Sequence, residues 1–269
     1  MNKAIILAAG QGTRLRPLTD EIPKTMVRIC EKPIIEYQMD AFSKRDITEI
    51  HVVAGYKEEK LVYQNLIKTI NHDFKSTNMV ASLYLLRDLF DGTCDVVISY
   101  GDIIFDDIVL DSLMMDHCNE VSIVYDVNWL ELWKNRMDNP LDDVETFRID
   151  ENQNVTELGS VLEVESDIQG QYIGLIFVPK SQTLTFFDNY DRLLKEQTLN
   201  RADFNNMYMT TYLQLLIDTG TKVKGIPIYS GWLEIDSLTD VENYNRMNKN
   251  KLMKDFCSTV ASNFESHDE

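Results

Sequence analysis

Residues 7 to 17 read Leu7-Ala-Ala-Gly-Gln-Gly-Thr-Arg-Leu-Arg-Pro17, and Pro23-Lys24 follow shortly after. The apolar run from Lys3 to Leu7 predicts a strand. The glycines therefore fall at a strand's C-terminal end, the usual ligand crevice of an open α/β sheet. Gly10 and Gly12 allow a tight turn that presents N–H groups to anionic oxygens without interference from a Cβ. Ala8 and Ala9 are small enough for a flat ring to lie close to the main chain. Arg14 offers a planar, permanently charged fork and Lys24 a compact ammonium, so both suit phosphate oxygens. Two common phosphate loops are excluded. Leu15 stands where a dinucleotide fingerprint needs its third glycine, and no Gly-Lys-Ser/Thr completes a P-loop. A glycine pair alone would be only a tight turn; with Arg14 and Lys24 at this spacing it is a phosphate-binding segment.

Outward from this segment, the N-terminal half alternates strand and helix patterns. Helices are expected over Pro33 to Lys44, Lys57 to Ile70, Thr77 to Phe90 and Asp107 to Met115. Strands are expected over Glu49 to Ala54, Asp95 to Tyr100 and Glu120 to Asp126. Such alternation predicts an α/β fold, a mostly parallel open sheet flanked by helices. After Asp126 the pattern changes. Thr146 to Ile149, Val155 to Leu158 and Tyr172 to Val178 read as strands joined by turns, the first being Asp150-Glu-Asn-Gln-Asn154, so antiparallel additions are expected in the C-terminal half. Helices at Leu184 to Gln197 and Tyr208 to Asp218, a strand at Lys222 to Tyr229 and a long helix from Leu238 to Phe256 complete the reading. The organisation expected is one domain over 1–245, then a C-terminal helix and acidic tail over 246–269.

Composition limits the function. Asp and Glu outnumber Lys and Arg by 44 to 26, a formal charge of −18, which repels polyphosphate backbones and anionic lipid. No apolar run approaches the roughly 18 to 20 residues needed to span a bilayer, and Ala4 to Ala9 is too short for a signal peptide. Nucleic-acid and membrane partners are therefore not expected, and the location expected is cytoplasmic. Cys30, Cys94, Cys118 and Cys257 are far apart and read as free thiols. His117-Cys118 lacks the further ligands that a zinc site requires.

Leu7-Ala-Ala-Gly-x-Gly-x-Arg14 with Lys24 resembles the signature of the sugar-phosphate nucleotidyltransferase superfamily. The resemblance continues through Pro33-Ile-Ile-Glu-Tyr37, Val53-Ala-Gly-Tyr56, Tyr100-Gly-Asp102 and Glu234-Ile-Asp236. Thr77-Asn-Met-Val-Ala-Ser-Leu83 and Trp232-Leu-Glu-Ile-Asp-Ser237 look most like the branch of cytidylyltransferases acting on phosphocholine, aminoethylphosphonate and phosphoglutamine. The resemblance implies a Rossmann-like nucleotidyltransferase fold and a Mg²⁺-dependent transfer of CMP from CTP to a small phosphorylated or phosphonylated amine or amino acid, with release of pyrophosphate. It places Leu7, Ala8, Ala9, Gly10, Gly12, Thr13 and Arg14 on the nucleotide. Arg14, Lys24 and Asp102 are implied as catalytic, and Asp102 and Asp236 as ligands of Mg²⁺. The partners implied are CTP and a small phosphorylated acceptor; a homo-oligomer is compatible with the sequence.

The residues leave some choices open. Asp236 precedes Ser237 and the last long helix, so it is either a metal ligand or a helix cap. Asn78 and Ser82 either contact the base or merely start and pack a helix. Lys24, Trp129, Trp133 and Tyr172 are expected on the acceptor side. Trp129 and Trp133 lie four apart and would share a helical face. Among Asp126, Glu131, Asp138, Asp142, Asp143 and Glu145 they would attract a cation; the plain alternative is that they are core. The rival functions are a hexose-1-phosphate nucleotidyltransferase making a nucleotide sugar, and a non-catalytic nucleotide-binding protein.

Overall fold

A computed structural model describes residues 2–115, 119–161, 168–197, 200–247 and 256–262. His117 and Cys118 and the acidic tail lie outside the described residues. In chain order the elements are β1 (Lys3–Ala8), β2 (Arg28–Ile29), β3 (Lys32–Pro33), α1 (Ile34–Ser43), β4 (Glu49–Ala54), β5 (Leu66–Ile70), α2 (Met79–Tyr84), β6 (Val96–Tyr100), β7 (Ile103–Phe105) and α3 (Asp107–Met115). They continue with β8 (Val121–Asp126), α4 (Trp129–Arg136), β9 (Phe147–Ile149), β10 (Val155–Leu158), β11 (Gln171–Val178), α5 (Lys180–Phe186), α6 (Asp188–Glu196), α7 (Arg201–Asn205) and α8 (Met209–Asp218). The last are β12 (Val223–Ile228), β13 (Trp232–Glu234), α9 (Leu238–Met247) and α10 (Ser258–Ser262).

The strand period of two splits β1 between two cores. Ala4, Ile6 and Ala8 face one apolar layer with α1, α3, α4 and α9, while Ile5 and Leu7 face another with α2, α6 and α8. Both faces of the sheet are thus covered, as a parallel sheet requires. The seven-stranded sheet runs β12-β8-β11-β6-β1-β4-β5. β1 pairs in parallel with β4 and β6, and β11 runs antiparallel to both β6 and β8. The expected antiparallel additions are therefore β11 and the separate β9–β10 pair. The turn between β9 and β10 is held by Asp150, whose Oδ1 accepts from the main-chain N of Asn152 and of Asn154, both at 2.8 Å.

Several boundaries depart from the sequence reading. The helix expected over Lys57 to Ile70 is a single 3₁₀ turn, Glu58–Lys60, followed by β5. β5 is an edge strand paired in parallel with β4. Its half-exposed pattern, with β-branched Ile67, Thr69 and Ile70, lacks the clean alternation that marks inner strands. Thr77 to Phe90 divides into α2 and a 3₁₀ turn at Arg87–Leu89, and Leu184 to Gln197 divides at Phe187 into α5 and α6. α9 is described to Met247, and its expected continuation over 248–255 lies outside the described residues. Cys30, Cys94 and Cys257 are free and buried.

Candidate active site

The cleft opens where β1 and β6 end. Gly12 adopts a left-handed φ of 58°, and a Cβ there would meet Lys24 Cβ at 2.9 Å, so only glycine lets the loop turn against the lysine stem. Thr19 Oγ1 donates to Gly12 O at 2.8 Å and fixes the turn. Gly101 is equally constrained, since a Cβ would lie 2.6 Å from Leu7 O. This close approach lets Gly101 N donate to Leu7 O at 2.9 Å and brings the Asp102 turn over the end of β1. Buried Gln38 on α1 secures that turn from below, donating through Nε2 to Tyr100 O at 2.8 Å and Ile103 O at 2.6 Å.

The second half of the site arrives by strand pairing. β13 runs antiparallel to β7, with Glu234 opposite Ile103, and Ile235 N donates to Asp102 O at 2.9 Å. Asp102 and Asp236, far apart in sequence, thereby share one cation. Lys24 Nζ donates to Asp102 Oδ2 at 2.7 Å and to Asp236 Oδ1 at 2.6 Å. Arg14 Nη2 lies 2.5 Å from Asp236 Oδ2. Burial acts to lower the Lys24 pKa, but the two carboxylates prevail and hold it above the usual lysine range. Burial likewise acts to raise Asp236, and Lys24, with Arg14, overcomes it and holds the carboxyl below its ordinary value. Asp102 Oδ1 is buried with no hydrogen-bond partner.

Asp236 does not cap α9. Ser237 does, in a reciprocal box: Asp240 N donates to Ser237 Oγ at 3.1 Å, and Ser237 N donates to Asp240 Oδ2 at 2.8 Å. The Asp236 side chain is left to face the cleft.

The cleft, about 350 Å³, brings together Leu7, Ala8, Ala9, Gly10, Gly12, Thr13, Arg14, Lys24, Asn78, Ser82, Asp102 and Asp236. Asn78 also caps α2, accepting from Met79 N at 2.8 Å, and Ser82 Oγ accepts from Asn71 Nδ2 at 2.9 Å. Two cavities adjoin it through shared residues. One, about 150 Å³, is lined by Tyr100, Glu145, Gln171, Tyr172, Thr210 and Glu234, among others. The other, about 320 Å³, is lined by Trp133, Asp142, Asp143, Val144, Glu145, Gln171 and Glu234. Tyr172 is buried on the first of these, its ring edge-on to Tyr100 at 5.8 Å. The concave surroundings of Glu145 raise its pKa by desolvation, against a hydrogen bond from Thr210.

The tryptophans take a different place from the expected cage. Trp129 and Trp133 belong to the apolar layer, with rings edge-to-face at 6.1 Å, and Trp133 lies 5.8 Å from Trp232. Trp133 Nε1 donates to Asp143 O at 3.1 Å. Helical spacing puts both on one face of α4, and that face points to the core. Trp129 lines neither the cleft nor the two adjoining cavities; Trp133 borders the larger one. Asp126 is also internal, accepting from Trp232 Nε1 at 2.9 Å. Sequence reading missed Glu234, Gln38 and Arg136, whose partners lie on other elements. Glu234 borders the cleft and both cavities, and its carboxylate lies 2.5 Å from Arg136 Nη1. Burial pushes the Glu234 pKa up, Arg136 opposes this, and Asp102 adds to it.

Among the described residues no three His, Cys, Asp or Glu side chains gather at metal-ligand spacing, and no helix is long and apolar enough to cross a membrane. The nucleotidyl transferase family model matches residues 3–162. The chain is 38% identical over 252 residues to a CTP:phosphoglutamine cytidylyltransferase of Campylobacter jejuni, covering 89% of this chain and 97% of that protein. It is 40% identical over 90 residues to a choline-phosphate cytidylyltransferase of Streptococcus pneumoniae, covering 32% of this chain and 39% of that one. The structure of CTP:phosphocholine cytidylyltransferase (LicC) from S. pneumoniae superposes with a TM-score of 0.71 at 20% identity, covering 91% of this chain and 98% of that one, which speaks to fold.

Proposed function

Since the chain belongs to the nucleotidyl transferase family, we propose that it transfers CMP from CTP to a small phosphorylated amine or amino acid. The observation that carries this is the convergence of Arg14, Lys24, Asp102 and Asp236 beside the Gly10–Gly12 turn, opening onto an acidic pair of cavities. The two relatives named above supply the choice of CTP and of an acceptor of the phosphoglutamine or phosphocholine kind.

In this reading the base lies over Ala8 and Ala9 toward Asn78 and Ser82, and the triphosphate lies along Gly10 to Arg14. Arg14 holds the outer phosphates. Lys24 reaches the α-phosphate and the acceptor phosphate, so that two anions can approach each other. An acceptor oxygen forms a bond to the α-phosphorus as the bond to the β-phosphate's bridging oxygen breaks, and pyrophosphate leaves with that electron pair. The acceptor oxygen is already anionic, so no protein nucleophile or base is required; the work is positioning and charge neutralisation.

The residues present fit Mg²⁺. Asp102 presents an unpartnered buried oxygen beside Asp236, and two carboxylates completed by phosphate oxygens and water suit this ion better than an all-protein cage. Bound there, it would neutralise charge on the phosphates. Beyond Lys24 the cavity walls carry Glu145, Asp142 and Asp143, which suits an acceptor whose far end is an ammonium. The test is pyrophosphate release with four nucleoside triphosphates crossed with a panel of phosphorylated amines, amino acids and hexose 1-phosphates. CTP with an amine-bearing acceptor is the result expected. Tenfold preference for UTP or dTTP, or for a hexose phosphate, overturns it.

A further inference from the structure

Arg136 closes α4 with a guanidinium that is almost wholly enclosed, its side chain 3% exposed. Its plane lies over the Trp133 ring, Cζ 4.6 Å from the centroid. The fork divides between two carboxylates. Nη1 meets Glu234 Oε2 at 2.5 Å, and Nε meets Asp240 Oδ1 at 3.1 Å. Asp240, itself buried, passes this on: its Oδ2 accepts from Asp236 N and from Ser237 N, both at 2.8 Å. The main chain of Asp236 is therefore held by a carboxylate that is held by Arg136. Asn243 Nδ2 donates to Asn135 O at 2.6 Å and ties α9 to α4 beside the same contact.

We propose that Arg136 is the positioning residue of the active site, fixing Asp236 through Asp240 and Glu234 directly. The inference rests on the reading of Asp236 given above. The helix that follows β8 thus sets the aim of a carboxylate 100 residues further along the chain. Only a planar fork serves both acids at once; a lysine ammonium on the same stem has no second arm held at a fixed angle. Neither Arg136 nor Asp240 lines the cleft, so their effect on the reaction passes through Asp236 and Glu234. Contacts of this kind behind a ligand are typically worth about 10- to 100-fold in metal affinity or activity.

The test is a double-mutant cycle on kcat/KM between Arg136→Met and Asp236→Asn, with thermal melting of each variant and titration with Mn²⁺ beside the preferred nucleoside triphosphate. Arg136→Met is expected to lower kcat/KM about 10- to 100-fold and to weaken Mn²⁺ about tenfold. The double mutant should be no slower than Asp236→Asn alone, because both changes remove one function. Arg136→Lys should fall between. Multiplicative losses, or unchanged Mn²⁺ affinity in Arg136→Met, overturn the proposal. Near-normal turnover in Asp236→Asn overturns the reading of Asp236 instead, so the two failures are distinct. If Arg136→Met does not fold, Asp240→Asn replaces it in the cycle. It keeps a carbonyl acceptor for the Asp236 N–H but loses the ion pair, and the same non-additivity is expected.

Discussion

Lys24→Met keeps most of the stem and removes the ammonium that two carboxylates share. At an effective dielectric near 20, each contact of about 2.7 Å is worth roughly 6 kcal/mol before desolvation. Much of that is returned by the cost of burying the charges, and removing one partner of a buried pair typically loses about 3 to 5 kcal/mol. Here the side chains of Lys24, Asp102 and Asp236 are 15%, 19% and 12% exposed, so water relieves part of the imbalance. About 2 to 4 kcal/mol is expected, a fall in Tm of roughly 4 to 7 °C for a chain of this size. Turnover should fall by about 10² to 10⁴, since in the proposed mechanism the same charge serves the transition state.

The pH dependence follows from the directions of the shifts. Asp236 has a depressed pKa when folded, so its contribution is present above its unfolded value, near 3.8, and is lost as pH falls through the folded one. Lys24 has a raised pKa, so its contribution is complete below 10.5 and is lost only as pH rises through the folded value. The difference in Tm between wild type and Lys24→Met should be flat from pH 5 to 9 and narrow below about pH 4. Without the ammonium the paired carboxylates also become a better cation site. Millimolar Mg²⁺ with no nucleotide should raise the Tm of Lys24→Met more than that of wild type. Differential scanning fluorimetry and pyrophosphate release measure these effects. A mutant melting within 1 °C of wild type at pH 7, or turning over normally, would refute the reasoning.

Glu145→Gln removes a charge from the wall shared by both adjoining cavities. It should raise KM for an amine-bearing acceptor several-fold with KM for CTP unchanged, and equal shifts in both would remove the acceptor assignment of this wall. Trp129→Ala should melt lower by an amount in the range of a buried aromatic deletion, about 3 to 5 kcal/mol, while KM for the acceptor in the folded fraction stays put; a selective rise in that KM would restore its place at the acceptor. Asp102→Asn should leave the Gln38 contacts to Tyr100 O and Ile103 O intact and Lys24 still paired with Asp236, so its Tm should fall less than that of Lys24→Met while turnover falls and the Mg²⁺ requirement rises, and a purely thermal effect would mark it as structural.

What could be read from the sequence was whatever lay close along the chain. The Gly10–Gly12 turn, Arg14 and Lys24 fall within one short segment, and the run before Asp102 is plainly a buried strand, so this side of the cleft was legible. Asp236 was ambiguous because its neighbour Ser237 carries the cap; a Ser followed three residues later by Asp240 was the available sign that Asp236 was free for other work. β5 was misjudged because an edge strand half open to water lacks clean alternation. The tryptophans teach a sharper lesson. Spacing says that Trp129 and Trp133 share a face, and Leu132 beside them completes the i, i+3, i+4 stripe of a core-facing helix. The next position in that stripe is Arg136. An arginine on the inward face of a helix keeps its charge when desolvated, so carboxylates must meet it there to offset the cost. The sequence therefore implied buried acids opposite α4, though not which ones. Glu234 and Asp240 are those acids because β13 pairs with β7 and turns directly into α9. That pairing also delivers Asp236 to Asp102. The buried arginine and the cleft carboxylates are thus two results of one strand register, which is why a change at either should be felt at the other.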